Sequence, residues 1–139
     1  MDILILNGPN LNLLGRREPA LYGTRRFEDY LEELRSCFPD DRLTYVQSNH
    51  EGDLIDAVQE YGFGKADGII LNAGGYTHTS ISLRDAVAAV EVPVVEVHLT
   101  DISAREPFRR ISYLTDVSAC CIMGKGLDGY REAIEFLKK

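Results

Sequence analysis

At 139 residues with a formal charge of −7, the chain can bury roughly two-thirds of the surface it exposes when unfolded, so no disulfide or metal staple is required. The acidic balance argues against a nucleic-acid partner, because neutralising phosphates takes a basic face. Cys37, Cys120 and Cys121 are odd in number, and an adjacent pair in a strand points to opposite faces, which suits buried thiols in a reducing cytoplasm. The opening MDILILNGPN has an acidic residue at position 2 and only four consecutive apolar residues, so neither a leader nor a membrane span is expected there. The expectation is one domain over residues 1–139 in a cytoplasmic protein with no membrane partner.

In chain order, the first apolar run, Ile3–Leu6, reads as a strand. It is followed by NGPNLNLLGRREPALYG, residues 7–23, a connection that delays any helix. Connections usually take about 4–6 residues, and structureless ones beyond about 12–15 tend to be lids, binding loops or disorder. Glycines and prolines that fix turns, interspersed with asparagines, arginines and a tyrosine, argue against disorder here. Phe27, Tyr30, Leu31, Leu34 and Phe38 then mark one helix face, and Leu43–Val46 a second strand. Ser48 and Glu51 have capping-box spacing, so a helix bearing Leu54, Ile55, Val58 and Tyr61 is expected to start there. Gly68–Leu71 is a third strand, Leu83, Val87 and Val90 a helix face, Val94–Val97 a fourth strand and Ser118–Met123 a fifth. Leu127, Tyr130, Ile134 and Leu137 mark the last helix. There is no internal repeat, linker or low-complexity tract. Near-continuous apolar strands joined by crossover helices imply a parallel sheet covered on both faces. The expected fold is α/β: a flavodoxin-like three-layer α/β/α sandwich with a five-stranded parallel sheet.

Such sheets bind ligands beyond the carboxyl ends of their strands. Four of the five runs end in polar groups: Asn7, then Ser48 with Asn49 and His50, Asn72, and His98. The familiar phosphate sites are missing, since neither G-x-G-x-x-G nor G-x-x-x-x-G-K-[ST] occurs, and Gly124, Lys125 and Gly126 read as a turn into the last helix. The first strand ends in Asn7-Gly8-Pro9 rather than the acidic residues of a phosphoacceptor. His50, His78 and His98 lack a metal-ligand spacing, so no metal is expected.

Seven of the eleven arginines fall in two windows, Arg16, Arg17, Arg25 and Arg26 in one and Arg105, Arg109 and Arg110 in the other. They are either solvated charges offsetting nearby carboxylates or, if the fold joins the windows, a positive pocket on an acidic body. Glu96 interrupts the apolar run VVEVH, where a carboxylate needs a partner. Two residues on, His98 shares its face of the strand, so the pair is either a structural ion pair or an oriented general acid at the strand tip. Tyr22 shares the long connection with Arg17, and guanidinium charge favours a phenolate, making Tyr22 a candidate proton abstractor against a simple packing role. NAGGYTHTSISLRDA adds Asn72, His78 and Ser80, and HLTDISAREPFRR adds Thr100, Arg105, Arg109 and backbone N–H groups suited to an anion. The ligand implied is a polyhydroxylated carboxylate.

NGPNLNLLGRREPALYG, QSNHEG, NAGGYTHTSISLRDA and EVHLTDISAREPFR together resemble, in order and over essentially the whole chain, the signature segments of type II 3-dehydroquinate dehydratase. The resemblance implies a flavodoxin-like subunit, a homododecamer built as a tetramer of trimers, no metal or organic cofactor, and dehydration of 3-dehydroquinate to 3-dehydroshikimate through an enolate. It implies that Tyr22 removes the proton next to the ketone and that Arg17 supports the phenolate and closes over the substrate. By the same resemblance, Asn12 would hold a water against the enolate oxygen, an electrostatic role of the oxyanion-hole kind, and His98, oriented by Glu96, would protonate the departing hydroxyl. The resemblance further implies that Asn72, His78 and Arg109 hold ring hydroxyls, that Leu99 and Thr100 receive the carboxylate, that Arg105 adds positive charge near the lid, and that Asp85 reaches a neighbouring subunit's site.

A Schiff-base route would need a lysine, and Lys65, Lys125, Lys138 and Lys139 all lie outside these segments. The pattern is departed from at Gly75, Thr100, Asp101 and Ser103, where alanine, serine, asparagine and histidine are commoner. Thr100 keeps a hydroxyl, Asp101 brings negative charge near an anion site, and Pro107 is tolerable in the first turn of a short helix. Those changes leave open a second reading, a non-catalytic small-ligand or subunit-interaction module on the same fold.

Overall fold

The computed structural model describes residues 1–22 and 24–139, with Tyr22 described by its backbone alone. Its elements alternate as read from the periodicity: β1 (Asp2–Asn7), α1 (Pro19–Tyr22), α2 (Phe27–Cys37), β2 (Arg42–Gln47), α3 (Glu51–Tyr61), β3 (Gly68–Asn72), α4 (Ile81–Ala89), β4 (Val94–His98), β5 (Cys120–Met123) and α5 (Asp128–Leu137). All strands are parallel in the order β2-β1-β3-β4-β5, the flavodoxin-like arrangement with its switch point between β1 and β3.

Alternation along each strand divides the apolar residues between two cores. Ile3, Ile5, Val95 and Val97 pack with Phe27, Leu34, Tyr130 and Ile134 under α2 and α5. Leu4, Leu6, Ile69 and Leu71 face the other way, onto Leu54, Val58, Leu83 and Val87 of α3 and α4. Each such side chain, fully buried, contributes roughly 1.5–3 kcal/mol relative to exposure. Cys120 packs on the first core, whereas Cys121, the register partner of Glu96, faces the second side, so the adjacent thiols do point to opposite faces.

Three local details differ from the sequence reading. The long connection is not structureless: a single 3-10 turn at Leu11–Leu13 and the one-turn α1, opened by Pro19, interrupt it. The capping box at Ser48 and Glu51 does not form. The helix begins at Glu51 with His50 at its N-cap, while the Ser48 hydroxyl donates to Asp53 at 2.7 Å and accepts from the His50 N–H. Last, β5 starts at Cys120 rather than Ser118, because the Ser118 hydroxyl donates back to Leu114 O in the preceding turn. No helix among the described residues is long and apolar enough to cross a membrane.

Candidate active site at the carboxyl end of the sheet

Beyond the ends of β1, β3 and β4 lies a cavity of about 230 Å³. Its floor forms where Gly8 passes β3 so closely that a Cβ there would come within 2.4 Å of Ala73 O, and Gly8 N donates to Asn72 O at 2.8 Å. Gly74 turns the chain away with φ +59, a backbone geometry that suits glycine.

His98 ends β4 and is buried, with Nε2 2.5 Å from Glu96 Oε2. That same oxygen also accepts from the Ser112 hydroxyl at 2.5 Å, and the other, Oε1, accepts from the Thr115 hydroxyl at 2.6 Å. Burial raises the proton affinity of Glu96, but the hydrogen bonds from His98, Ser112 and Thr115 outweigh it and hold the carboxyl below the ordinary range. With Nε2 engaged, Nδ1 is the ring nitrogen of His98 left to serve a ligand.

His78, on the 3-10 turn Gly74–His78, lines the same cavity. Its Nδ1 lies 2.8 Å from Ile111 O, and a carbonyl can only accept, so Nδ1 carries the proton and Nε2 is an acceptor. Burial pushes its pKa down, and the positive charges of Arg109 and Arg105 push the same way, so the ring is neutral at pH 7.

The two arginine windows meet only in part. Arg17, Arg105 and Arg109 line the cavity. Arg25 and Arg26 instead pair with Glu33 and Glu28 on α2, and Arg110 donates to Arg105 O. Asn72, Leu99 and Thr100 complete the predicted set at the cavity wall, with Asn72 held between Tyr130 and Gly74 N–H. Asn12, expected over the enolate, is exposed outside the lining, with Oδ1 3.5 Å from Gln47 Nε2. Asp85 is exposed on α4, away from this cavity. The side chain of Tyr22, expected as the base, lies outside the described residues. Among the described residues no lysine lines the cavity.

Sequence reasoning missed Asn10, Gly74 and Ile102 at the wall, and also Ser112, Thr115 and Tyr130 behind it. No motif marks the last three; Tyr130 reads as one more apolar position on a helix face.

Glu96, His98 and Cys121 bring ligand atoms within 4.8 Å of one another. The thiol is neutral, pushed up to about 12 by burial and by Glu96, and the dyad contact occupies the nitrogen and oxygen a cation would take. As built, the cluster is a hydrogen-bonded acid–base pair. The departures at Asp101 and Ser103 account for each other: Asp101 caps the turn Ile102–Ala104 by accepting from Ser103 N–H at 3.0 Å and from its hydroxyl at 2.5 Å. Pro107 sits at the first turn of Pro107–Arg109, where its missing N–H costs nothing. Gly75 has open space where the alanine of the pattern would put its Cβ.

The family profile described as Dehydroquinase class II matches residues 1–138. The chain belongs to this family. A 3-dehydroquinate dehydratase of Exiguobacterium sp. is 54% identical over 139 residues, covering 99% of this chain and 94% of the relative. A protein of Neosartorya fischeri named catabolic 3-dehydroquinase 2 is 49% identical over 138 residues, covering 97% and 91%. The crystal structure of type II dehydroquinase from Butyrivibrio crossotus superposes with a TM-score of 0.94 at 43% identity, over 100% of this chain and 98% of that one. Membership in the class II dehydroquinase family makes the cavity at the carboxyl end of the sheet the candidate active site.

Proposed function

We propose that the protein is a carbon–oxygen lyase that eliminates water from 3-dehydroquinate to give 3-dehydroshikimate through an enolate. The observation that carries this reading is the meeting of an oriented acid, the His98–Glu96 pair, with Arg17, Arg105 and Arg109 around one cavity of a class II dehydroquinase chain. Eliminating a β-hydroxyl from a ketone needs a base for the α-proton, charge to stabilise the enolate and an acid for the leaving group. Tyr22 is the proposed base, with Arg17 favouring its phenolate, and a water held by Asn12 is the proposed enolate stabiliser. His98 then passes its Nδ1 proton to the departing hydroxyl as the enolate electrons form the new double bond; Glu96 stays hydrogen-bonded to Nε2 and supports the imidazolium before transfer.

Neutral His78, Asn72 and Arg109 are proposed to hold the ring hydroxyls, and Leu99 and Thr100 the carboxylate. Arg105 adds positive charge without needing to touch the reacting atoms. No cofactor is invoked. One relative is named for a catabolic role and another only for the reaction, so the reaction is assigned to the shikimate pathway or to quinate catabolism alike. A cytoplasmic homododecamer, a tetramer of trimers, is part of the proposal, with Asp85 serving a neighbouring site. Exposed Ile81 and Asp85, one turn apart on α4, would supply an apolar and a charged contact to that neighbour.

The test is the rise in ultraviolet absorbance as the enone forms when purified protein meets 3-dehydroquinate, run with chelator and repeated after borohydride treatment in the presence of substrate. A signal insensitive to both supports the enolate route. Borohydride inactivation would overturn it in favour of an imine, and no signal would leave a binding module.

A further inference from the structure

Residues 111–116 form a strap across the sheet end that neither the periodicity nor the motifs single out. Tyr113 N donates to Thr77 O at 3.0 Å, Arg84 donates to Tyr113 O at 2.8 Å, and Arg84 also pairs with Asp116. From this strap Ile111 O fixes His78, while Ser112 and Thr115 reach Glu96. We propose that Ser112 and Thr115 are positioning residues for proton delivery, gripping opposite oxygens of Glu96 and thereby fixing the carboxylate that orients His98.

The geometry leaves each hydroxyl little choice. Ser112 Oγ accepts from Leu114 N–H at 3.1 Å, so its single proton points to Glu96 Oε2. Thr115 Oγ1 donates to Oε1. Glu96 is 0% exposed, and an ionised carboxylate there needs donors on both oxygens. Without the two hydroxyls, only His98 and the weak Cys121 thiol donor would remain to it, and His98 would be free to swing with it. The other groups facing the dyad are Cys121 from β5, His78 from the turn after β3, Arg105 and Arg109 after β4, and Arg17 from the first connection. The Cys121 thiol, pushed up to about 12, stays neutral, while the site pushes the proton affinities of Glu96 and His78 down.

This inference rests on the proposed dehydratase reading. The experiment measures kcat and KM for 3-dehydroquinate from about pH 5 to about pH 9 in wild type, Ser112→Ala, Thr115→Val, Thr115→Ser and Asp116→Asn. Losing a donor to Glu96 lowers kcat about tenfold with KM within about twofold, since hydrogen bonds to charged groups are the strong ones. It also moves the acid limb of kcat to higher pH, because the carboxylate then protonates more readily. Thr115→Ser, which keeps the hydroxyl, restores both. Asp116→Asn weakens only the Arg84 ion pair, while the Tyr113 bonds to Arg84 and Thr77 still hold the strap, and so leaves the limb in place. Unshifted profiles in Ser112→Ala and Thr115→Val, or an equal shift in Asp116→Asn, would overturn the inference while wild-type turnover stands. Absence of wild-type turnover would instead overturn the dehydratase reading beneath it. Should Thr115→Val fail to fold, Ser112→Ala, which deletes one hydroxyl, carries the same test.

Discussion

The Tyr130 hydroxyl donates to Asn7 Oδ1 at 2.7 Å, tying the last helix to the end of the first strand across 123 residues of sequence. It also accepts from Asn72 Nδ2 at 3.0 Å, so one buried phenol supports two strand ends at the cavity floor. Burial keeps the phenol protonated, pushing its pKa well up from the ordinary value. Tyr130→Phe removes the shared partner and leaves two buried amide groups short of a bond, at a cost of about 1–3 kcal/mol. Denaturant unfolding is expected to show that loss, with KM for 3-dehydroquinate raised because Asn72 is no longer held. Wild-type stability in the variant would mean the amides find other partners.

Tyr22→Phe and His98→Ala are each expected to lower kcat by roughly 10²-fold or more, the scale of lost general acid–base catalysis. Steady-state assays on protein shown by circular dichroism to be folded decide this. Near-normal turnover in either variant removes that residue from its proposed role.

Gly8→Ala places a methyl against the backbone oxygen of Ala73, which no side-chain rotation can relieve. The β1–β3 ends must separate, with a stability loss of about 1–3 kcal/mol, the usual range for overpacking. Thermal melts should fall accordingly. Gly75→Ala, where a Cβ meets nothing, is the matched control and should melt like wild type.

Glu96 carries a pH signature. Its folded-state pKa lies below the unfolded value: burial opposes ionisation, but three hydrogen bonds outweigh it. The unfolded chain therefore binds the proton first, so this stabilising contribution is complete above the ordinary carboxylate value of about 4.3 and is lost as pH falls through the lower folded value. Acid unfolding of Glu96→Gln should be flatter over that window than that of wild type. An identical acid slope in the two proteins would assign the acid sensitivity to other carboxylates.

Size-exclusion chromatography with light scattering tests the assembly. A dodecamer is expected, and Asp85→Ala should raise KM without dissociating it. A monomer would end the proposed role of Asp85 across subunits.

The alternation of strands and helices, the two-faced burial of the sheet, and the common face of Glu96 and His98 were all legible in the sequence. Each follows from a local period, near 3.6 or 2 residues, that any folded arrangement must respect. Which arginines meet emerges from the folded path of the chain. Arg17, Arg105 and Arg109 share a cavity, whereas Arg25 and Arg26 settle on carboxylates of α2, because the path of the first connection, not its composition, sets their reach. The fold also decided that Ser48 would bond Asp53 rather than cap α3, a choice between two nearby acceptors that spacing does not distinguish. Ser112, Thr115 and Tyr130 belong to the same class. A hydroxyl has no periodicity of its own, and its role depends on which buried acceptor the packed chain brings within 3 Å.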